Sequence, residues 1–146
     1  MQQTVPVVTL DEIRAAATRL SGVAVRTPLV PLPLPGSHGQ AFVKNEGAQL
    51  TGSFKLRGAY NKIAQLPADE RSRGVITYSS GNHAQGVAFA ARALGTKAVV
   101  VMPSNSSQLK QRATADLGAE IVFVGPSSIE RRQKAEELAA QFGYVI

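Results

Sequence analysis

Segments rich in apolar residues alternate with longer segments of mixed polarity over the second half of the chain. Short segments typical of buried strands occur at 74–78, 98–102 and 121–124. Each is followed by a segment of 11 to 16 residues in which apolar positions recur at helical spacing, at 83–94, 107–117 and 127–142. This alternation predicts βαβ units, and therefore an α/β fold whose parallel sheet is covered by helices on both faces.

The first half of the chain is less regular. Thr9 and Glu12 have the spacing of a capping box, which predicts a helix over about 10–20. Four of the eight prolines fall within 28–35, so we expect an extended connector laid over the domain there. A further strand and a further helix are predicted at 41–44 and 54–64.

The chain ends inside an apolar segment, residues 144–146, which predicts the beginning of another strand. No polar tail follows it. A parallel strand at a sheet edge exposes unpaired backbone groups. We therefore expect the sequence to continue beyond residue 146 in the complete protein.

Composition and charge narrow the classes of function. The chain has 146 residues, no cysteine and two histidines, which excludes a disulfide framework, a thiolate nucleophile and a cysteine-based metal site, and we expect no metal. The net charge of +6 is spread along the chain, and without tryptophan a nucleic-acid partner is poorly supported. No apolar segment is long enough to cross a bilayer, and the N-terminus lacks the pattern of a secretory signal. We expect a cytoplasmic protein without a membrane partner.

The first candidate site is the loop that joins the strand at 74–78 to the next helix. In open α/β sheets, ligands bind where strands end and helices begin. The residues there are Ser79, Ser80, Gly81, Asn82 and His83, which offer hydroxyl, amide and imidazole groups beside free backbone N–H groups. The loop is suited to a carboxylate or a phosphate. The alternative, that Ser80 or Asn82 only caps the helix, is equally compatible with the local pattern.

The second candidate is Lys55, which stands between Phe54 and Leu56 at the beginning of a predicted helix. A cation at a helix N-terminus opposes the helix dipole. A lysine amine desolvated in such a place can act as a nucleophile and form a Schiff base with a carbonyl cofactor. An ordinary surface lysine, with its stem along apolar neighbours, fits the same local pattern.

The two candidates together resemble a known family. The segments 53–59 (SFKLRGA) and 79–86 (SSGNHAQG) closely resemble the serine/threonine dehydratases, which are pyridoxal-phosphate enzymes of the tryptophan synthase β-like fold, fold type II. Threonine deaminase and serine racemase belong to this group. Supporting segments stand in order at 26–29, 44–53, 102–103 and 118–120, so that the resemblance covers about residues 9–146.

The resemblance implies roles for the candidate residues. Lys55 would be the Schiff-base lysine and would move the proton at the substrate Cα. Phe54 would lie against the ring of pyridoxal 5′-phosphate, and Asn82 would hydrogen-bond its 3′-oxygen. The substrate carboxylate would be held by Ser79, Ser80, Asn82 and His83. In racemases of the family, the serine that matches Ser80 protonates Cα from the opposite face.

The implied activity is β-elimination and deamination of L-threonine or L-serine to a 2-oxo acid and ammonia. A serine racemase or a hydroxyaspartate dehydratase of the same family is the alternative. The family is usually oligomeric, so a homo-oligomer is expected. Residues 1–73 would open the large cofactor domain, and residues 74–146 would form most of the small domain.

One part of the family pattern is missing. The glycine-rich loop that binds the cofactor phosphate would lie beyond residue 146, and the sequence contains no run of three glycines. The chain is therefore expected to be the N-terminal part of such an enzyme. The alternative, from another class of function, is a non-catalytic remnant that binds a carboxylate, or one half of a split enzyme.

Overall fold

The computed structural model describes residues 7–34, 36 and 39–146. The helices in these residues are α1 (Leu10–Arg19), α2 (Lys55–Ala64), α3 (Ala68–Arg73), α4 (Asn82–Ala93), α5 (Gln108–Ala115) and α6 (Ser128–Phe142). The strands are β1 (Leu29–Leu32), β2 (Ala41–Lys44), β3 (Val75–Tyr78), β4 (Ala98–Pro103) and β5 (Glu120–Val124).

Strands β3, β4 and β5 form a parallel sheet in that order, with Val75 opposite Ala98 and Val99 opposite Glu120. The predicted parallel α/β fold is confirmed. The segment 144–146, expected to begin a strand, contributes a single parallel bridge between Val145 and Val75. It lies beside β3 on the side opposite β4, because the Ile76 N–H donates to the Val145 carbonyl at 2.8 Å.

Helices cover both faces of the sheet, as the alternating pattern predicts. Successive strand residues point to opposite faces. On one face, alternate strand residues such as Val100 and Met102 pack with α2 and α4. On the other, Ile76, Val99 and Val101 pack with Ala135 of α6. The apolar strand β4 is buried along its whole length because it is central in the sheet and covered on both faces.

The proline-rich segment contains a strand, which the sequence did not predict. It is extended, as expected, but β1 pairs with β2 in an antiparallel ladder in which Pro31 stands opposite Phe42. Proline lacks the N–H that a central strand would need, and both strands of a two-stranded sheet are edges. The pairing is long-range information that the local composition does not carry.

The remaining differences between the observed and the predicted elements concern short helices and the ends of helices. Helix α3 was missed because its sequence, ADERSR, carries no apolar periodicity and buries no residue. A 3₁₀ turn at Glu46–Ala48 was also missed. Helix α5, predicted over 107–117, ends at Ala115, before a turn in which Gly118 has a φ of +90°. None of the helices in the described part of the chain is long and apolar enough to cross a membrane.

Candidate active site

The loop after β3 places its polar residues at the carboxyl end of the sheet. The Ser79 N–H donates to the Val101 carbonyl at 3.1 Å, which extends the sheet by one residue. The Gly81 N–H then donates to the Ser79 hydroxyl at 3.4 Å, and α4 begins at Asn82. Ser79 therefore shapes the loop as well as offering a hydroxyl group.

No side chain caps the N-terminus of α4. The N-cap residue is Gly81, so the interpretation in which Ser80 or Asn82 caps the helix is wrong. The first N–H groups of a helix have no partner within the helix, and together they carry partial positive charge. In α4 these groups lie beside the Ser79–Gly81 loop, where an anion could accept their hydrogen bonds.

Lys55 is the first residue of α2 and is partly buried. Its Nζ lies 4.6 Å from the centroid of the Phe54 ring, within the range of a cation–π contact. The Phe54 side chain is 56% exposed although it is aromatic. A large exposed ring beside a lysine amine leaves a flat apolar face available for a planar ligand.

Lys55 and His83 line one cavity of about 210 Å³, together with Phe54, Gly58 and Ala59. Burial lowers the pKa of His83, and the nearby Lys55 cation lowers it further. Both effects favour the neutral imidazole, which offers one donor and one acceptor nitrogen. The two candidate segments, 28 positions apart in sequence, thus meet at this cavity.

The structure brings some of the predicted residues together more directly than others. Phe54, Lys55 and His83 share the cavity, whereas Ser79, Ser80 and Asn82 lie on the adjoining loop and the first turn of α4. Ser80 and Asn82 make no side-chain hydrogen bond within residues 7–34, 36 and 39–146. Their side chains are therefore available to a ligand.

Three further polar groups lie near Lys55 or the loop before α4, and the sequence motifs do not point to them. The Nζ of Lys110 lies 3.9 Å from the place that a Cβ on Gly81 would take, and Lys110 pairs with no carboxylate in the described part of the structure. The hydroxyls of Thr51 and Ser53, just before Lys55, are buried without a partner there. The Thr51 and Ser53 hydroxyls can be recognised as unpaired groups only from their burial in the folded chain. Lys110 reaches the loop through the packing of α5 on α4, which no local pattern shows.

Comparison with known proteins places this chain in a family. Residues 20–146 match the family described as pyridoxal-phosphate dependent enzyme. The chain belongs to this family. The fold-type and cofactor class that the paired motifs implied are confirmed by this match and by the similar structures below.

The similar proteins include dehydratases and racemases. The catabolic L-threonine dehydratase TdcB of Staphylococcus aureus is 42% identical over 147 residues, covering 99% of this chain and 42% of the relative. A pyridoxal 5′-phosphate-dependent aspartate racemase matches with a TM-score of 0.89 and 39% identity, over 97% of this chain and 46% of that one. Maize serine racemase matches with a TM-score of 0.86 and 34% identity, over 93% and 42% respectively. The chain thus spans less than half the length of these relatives.

Proposed function

We propose that this chain forms the lysine-bearing and carboxylate-binding part of a pyridoxal-phosphate lyase that deaminates L-threonine or L-serine. The observation that carries the proposal is the cavity shared by Lys55 and His83, next to the uncapped N-terminus of α4. It brings the Lys55 amine next to the uncapped first turn of α4. The dehydratase relative, 42% identical, supports the choice of reaction.

The residues present fit the aldehyde and ring of pyridoxal phosphate. Lys55 offers the amine, and Phe54 offers an exposed ring face beside it. The buried hydroxyls of Thr51 and Ser53 are donors without a partner among the described residues. When bound, the cofactor supplies an electron-withdrawing ring that stabilises negative charge at the substrate Cα.

Each side chain has a proposed task around this group. Before substrate binds, Lys55 would hold the aldehyde carbon of the cofactor; once the substrate amine has taken its place there, the released Lys55 amine would remove the proton at the substrate Cα. Phe54 would pack against the ring, and Asn82 would donate a hydrogen bond to the 3′-oxygen. An amine held in place is effective because positioning removes much of the entropic cost of the proton transfer.

The carboxylate of the substrate would lie at the N-terminus of α4. Ser79, Ser80, Asn82 and His83 would surround it, together with the first N–H groups of the helix. These dipoles are fixed by the fold before a substrate arrives, so little reorganisation is needed on binding. Lys110 would add a positive charge at the outer side of the loop.

In this proposal the site lies where two domains meet. Lys55 belongs to the part proposed as the opening of the large domain, residues 1–73, and the Ser79–His83 loop belongs to the proposed small domain, residues 74–146. The packing of α2 on α4 joins the two parts. That the complete protein is a cytoplasmic homo-oligomer stays a prediction.

A racemase or a hydroxyaspartate dehydratase is the second candidate. The similarity to an aspartate racemase and to maize serine racemase favours it. Ser80 is partly buried and makes no side-chain hydrogen bond with described residues, so its hydroxyl could deliver a proton to the second face of Cα. Ser80 by itself does not decide between elimination and racemisation, so the products must separate the two activities.

A chimera tests the proposed activity. This chain would replace the matched 147-residue segment of the Staphylococcus aureus threonine dehydratase, which supplies the remainder of that enzyme. We expect the chimera to produce 2-oxo acid and ammonia from L-threonine or L-serine. Lys55→Ala should lower the rate at least about 1,000-fold, because the nucleophile is lost. Chiral analysis of the remaining amino acid would reveal racemisation.

The matched control is Lys134→Ala, which removes a lysine paired with Glu137 on α6. It should leave the rate unchanged. A folded chimera that shows no Lys55-dependent deamination would contradict the proposal. Such a result would favour a non-catalytic carboxylate-binding remnant, whereas activity on mixing this chain with a separate C-terminal segment would favour a split enzyme.

A further inference from the structure

Gly86 of α4 lies close to the backbone of the first turn of α2. It is buried, and a Cβ built on it would lie 3.0 Å from the carbonyl carbon of Lys55 and 3.1 Å from its carbonyl oxygen. The same Cβ would be 3.2 Å from the Leu56 nitrogen. All three are backbone atoms, so no flexible side-chain end can turn aside.

The residues around this contact leave little room for adjustment. Leu56 and Ala84 are fully buried, and Ala59 and Val87 are nearly so. Close-packed interiors transmit displacements because few voids can absorb them. By contrast, a Cβ on Gly58, on α2 itself, would meet nothing within 4 Å.

Gly86 also has a fixed position relative to the candidate site residues at the start of α4. It lies four residues after Asn82 and three after His83, so one helical face carries all three. The contact at Gly86 therefore lies about one helical turn from the N-terminus of α4 and directly against the backbone of Lys55.

We propose that Gly86 is a positioning residue for Lys55: its missing side chain lets α4 hold the α2 backbone where the Lys55 amine faces the cavity beside His83. A larger residue would push the first turn of α2 outward and carry the amine away. The importance of that amine rests on the proposed function, but the position of Lys55 can be measured without cofactor.

The pKa of His83 reports the position of the Lys55 amine. Burial and the Lys55 cation lower its pKa, and Lys55 is the charged group that acts on it. If α2 moves away, His83 loses both influences in part, and its pKa rises toward the ordinary value. If Gly86 mattered only for packing, replacing it would change the stability of the chain and leave the pKa of His83 unchanged.

The test is an NMR titration of the His83 ring in this chain without cofactor. A His38→Gln background removes the other histidine. We expect Gly86→Ala to raise the pKa of His83, in the same direction as Lys55→Ala. Val100→Ala is the matched control, because it opens a cavity in the same core cluster without touching Lys55. It should leave the pKa of His83 as in the parent chain.

An unchanged pKa of His83 in folded Gly86→Ala, with a shift in Lys55→Ala, would overturn the proposal. If Gly86→Ala does not fold, Leu56→Val serves instead, because it shortens a fully buried side chain in the same turn of α2 and so loosens the packing that holds this turn. A rise in the pKa of His83 supports the proposal, and the parent value contradicts it.

Reductive trapping with pyridoxal phosphate separates this inference from the proposed function. If both hold, the parent chain forms an adduct at Lys55 and Gly86→Ala lowers its yield about tenfold or more, because small misplacements cost large factors in rate. A shifted His83 titration without any Lys55 adduct in the parent chain would support the positioning role and contradict the proposed function.

Discussion

Two lysines stand near the loop before α4, and their surroundings differ. Lys55 reaches the cavity from α2 and lies against the Phe54 ring. Lys110 reaches the outer side of the loop from α5, is exposed, and pairs with no carboxylate in the described residues. An amine that faces the cavity suits a chemical step, whereas an exposed cation beside a helix N-terminus suits the attraction of an anion.

Replacing Lys110 should therefore affect binding and leave the chemical step unchanged. In the chimera, we expect Lys110→Gln to raise KM for L-threonine about 3- to 10-fold with kcat unchanged, because the charge acts alike on bound substrate and transition state. Steady-state kinetics at low and high salt would measure this. Lys134→Gln, on α6, is the control. A KM equal to that of the parent would show that Lys110 does not contribute.

At the scale of elements, a polar network holds α2. Arg57 binds both oxygens of Glu46, with its Nε 2.7 Å from Oε2 and its Nη2 2.9 Å from Oε1. The Thr27 hydroxyl donates to the same carboxylate at 2.6 Å, and Gln49 exchanges two hydrogen bonds with the backbone of Val25. The helix that begins with Lys55 is thus tied to the segments before β1 and after β2.

This network predicts a stability loss in acid. The Arg57 hydrogen bonds lower the pKa of Glu46 to about 2, although burial opposes them, and the Thr27 bond contributes in the same direction. The unfolded carboxyl therefore binds a proton more readily than the folded one. The stabilisation is fully present above about pH 4.5 and is lost as the pH falls toward about 2.

Glu46→Gln should remove this contribution. We expect it to lower the free energy of unfolding by about 2 kcal/mol at pH 7 and to flatten the pH dependence between about 4.5 and 2. Urea unfolding at several pH values would measure both. Asp11→Asn removes a salt bridge in which both side chains are exposed, and it should cost less than about 1 kcal/mol. Equal losses for the two variants would contradict the role of the network.

Local signals account for most of these elements. The β3–β5 units were predictable within a few residues, because buried strands and amphipathic helices impose different periods. The polar helix α3 and the β1–β2 pairing were not, because one lacks periodicity and the other depends on a distant partner. In the site, the motifs identified Lys55 and the loop, but the contact at Gly86 and the reach of Lys110 exist only once α4 has packed.

At the scale of the whole molecule, two parts of the chain are proposed to form one site. The α2 side supplies the Lys55 amine, and the α4 side supplies a helix N-terminus without a side-chain cap. The two parts share a core, since α2 and α4 pack on the same face of the sheet. The Lys55–His83 cavity is therefore expected to form in this chain even though it spans less than half of its relatives.

Reductive trapping tests this claim most directly. The chain would be incubated with pyridoxal phosphate, reduced with borohydride and digested, and the modified lysines would be located by peptide mass spectrometry. We predict a saturable adduct confined to Lys55, with an absorbance change that serine or threonine reverses. Labelling scattered over exposed lysines such as Lys62 and Lys110, with none favoured at Lys55, would contradict the account.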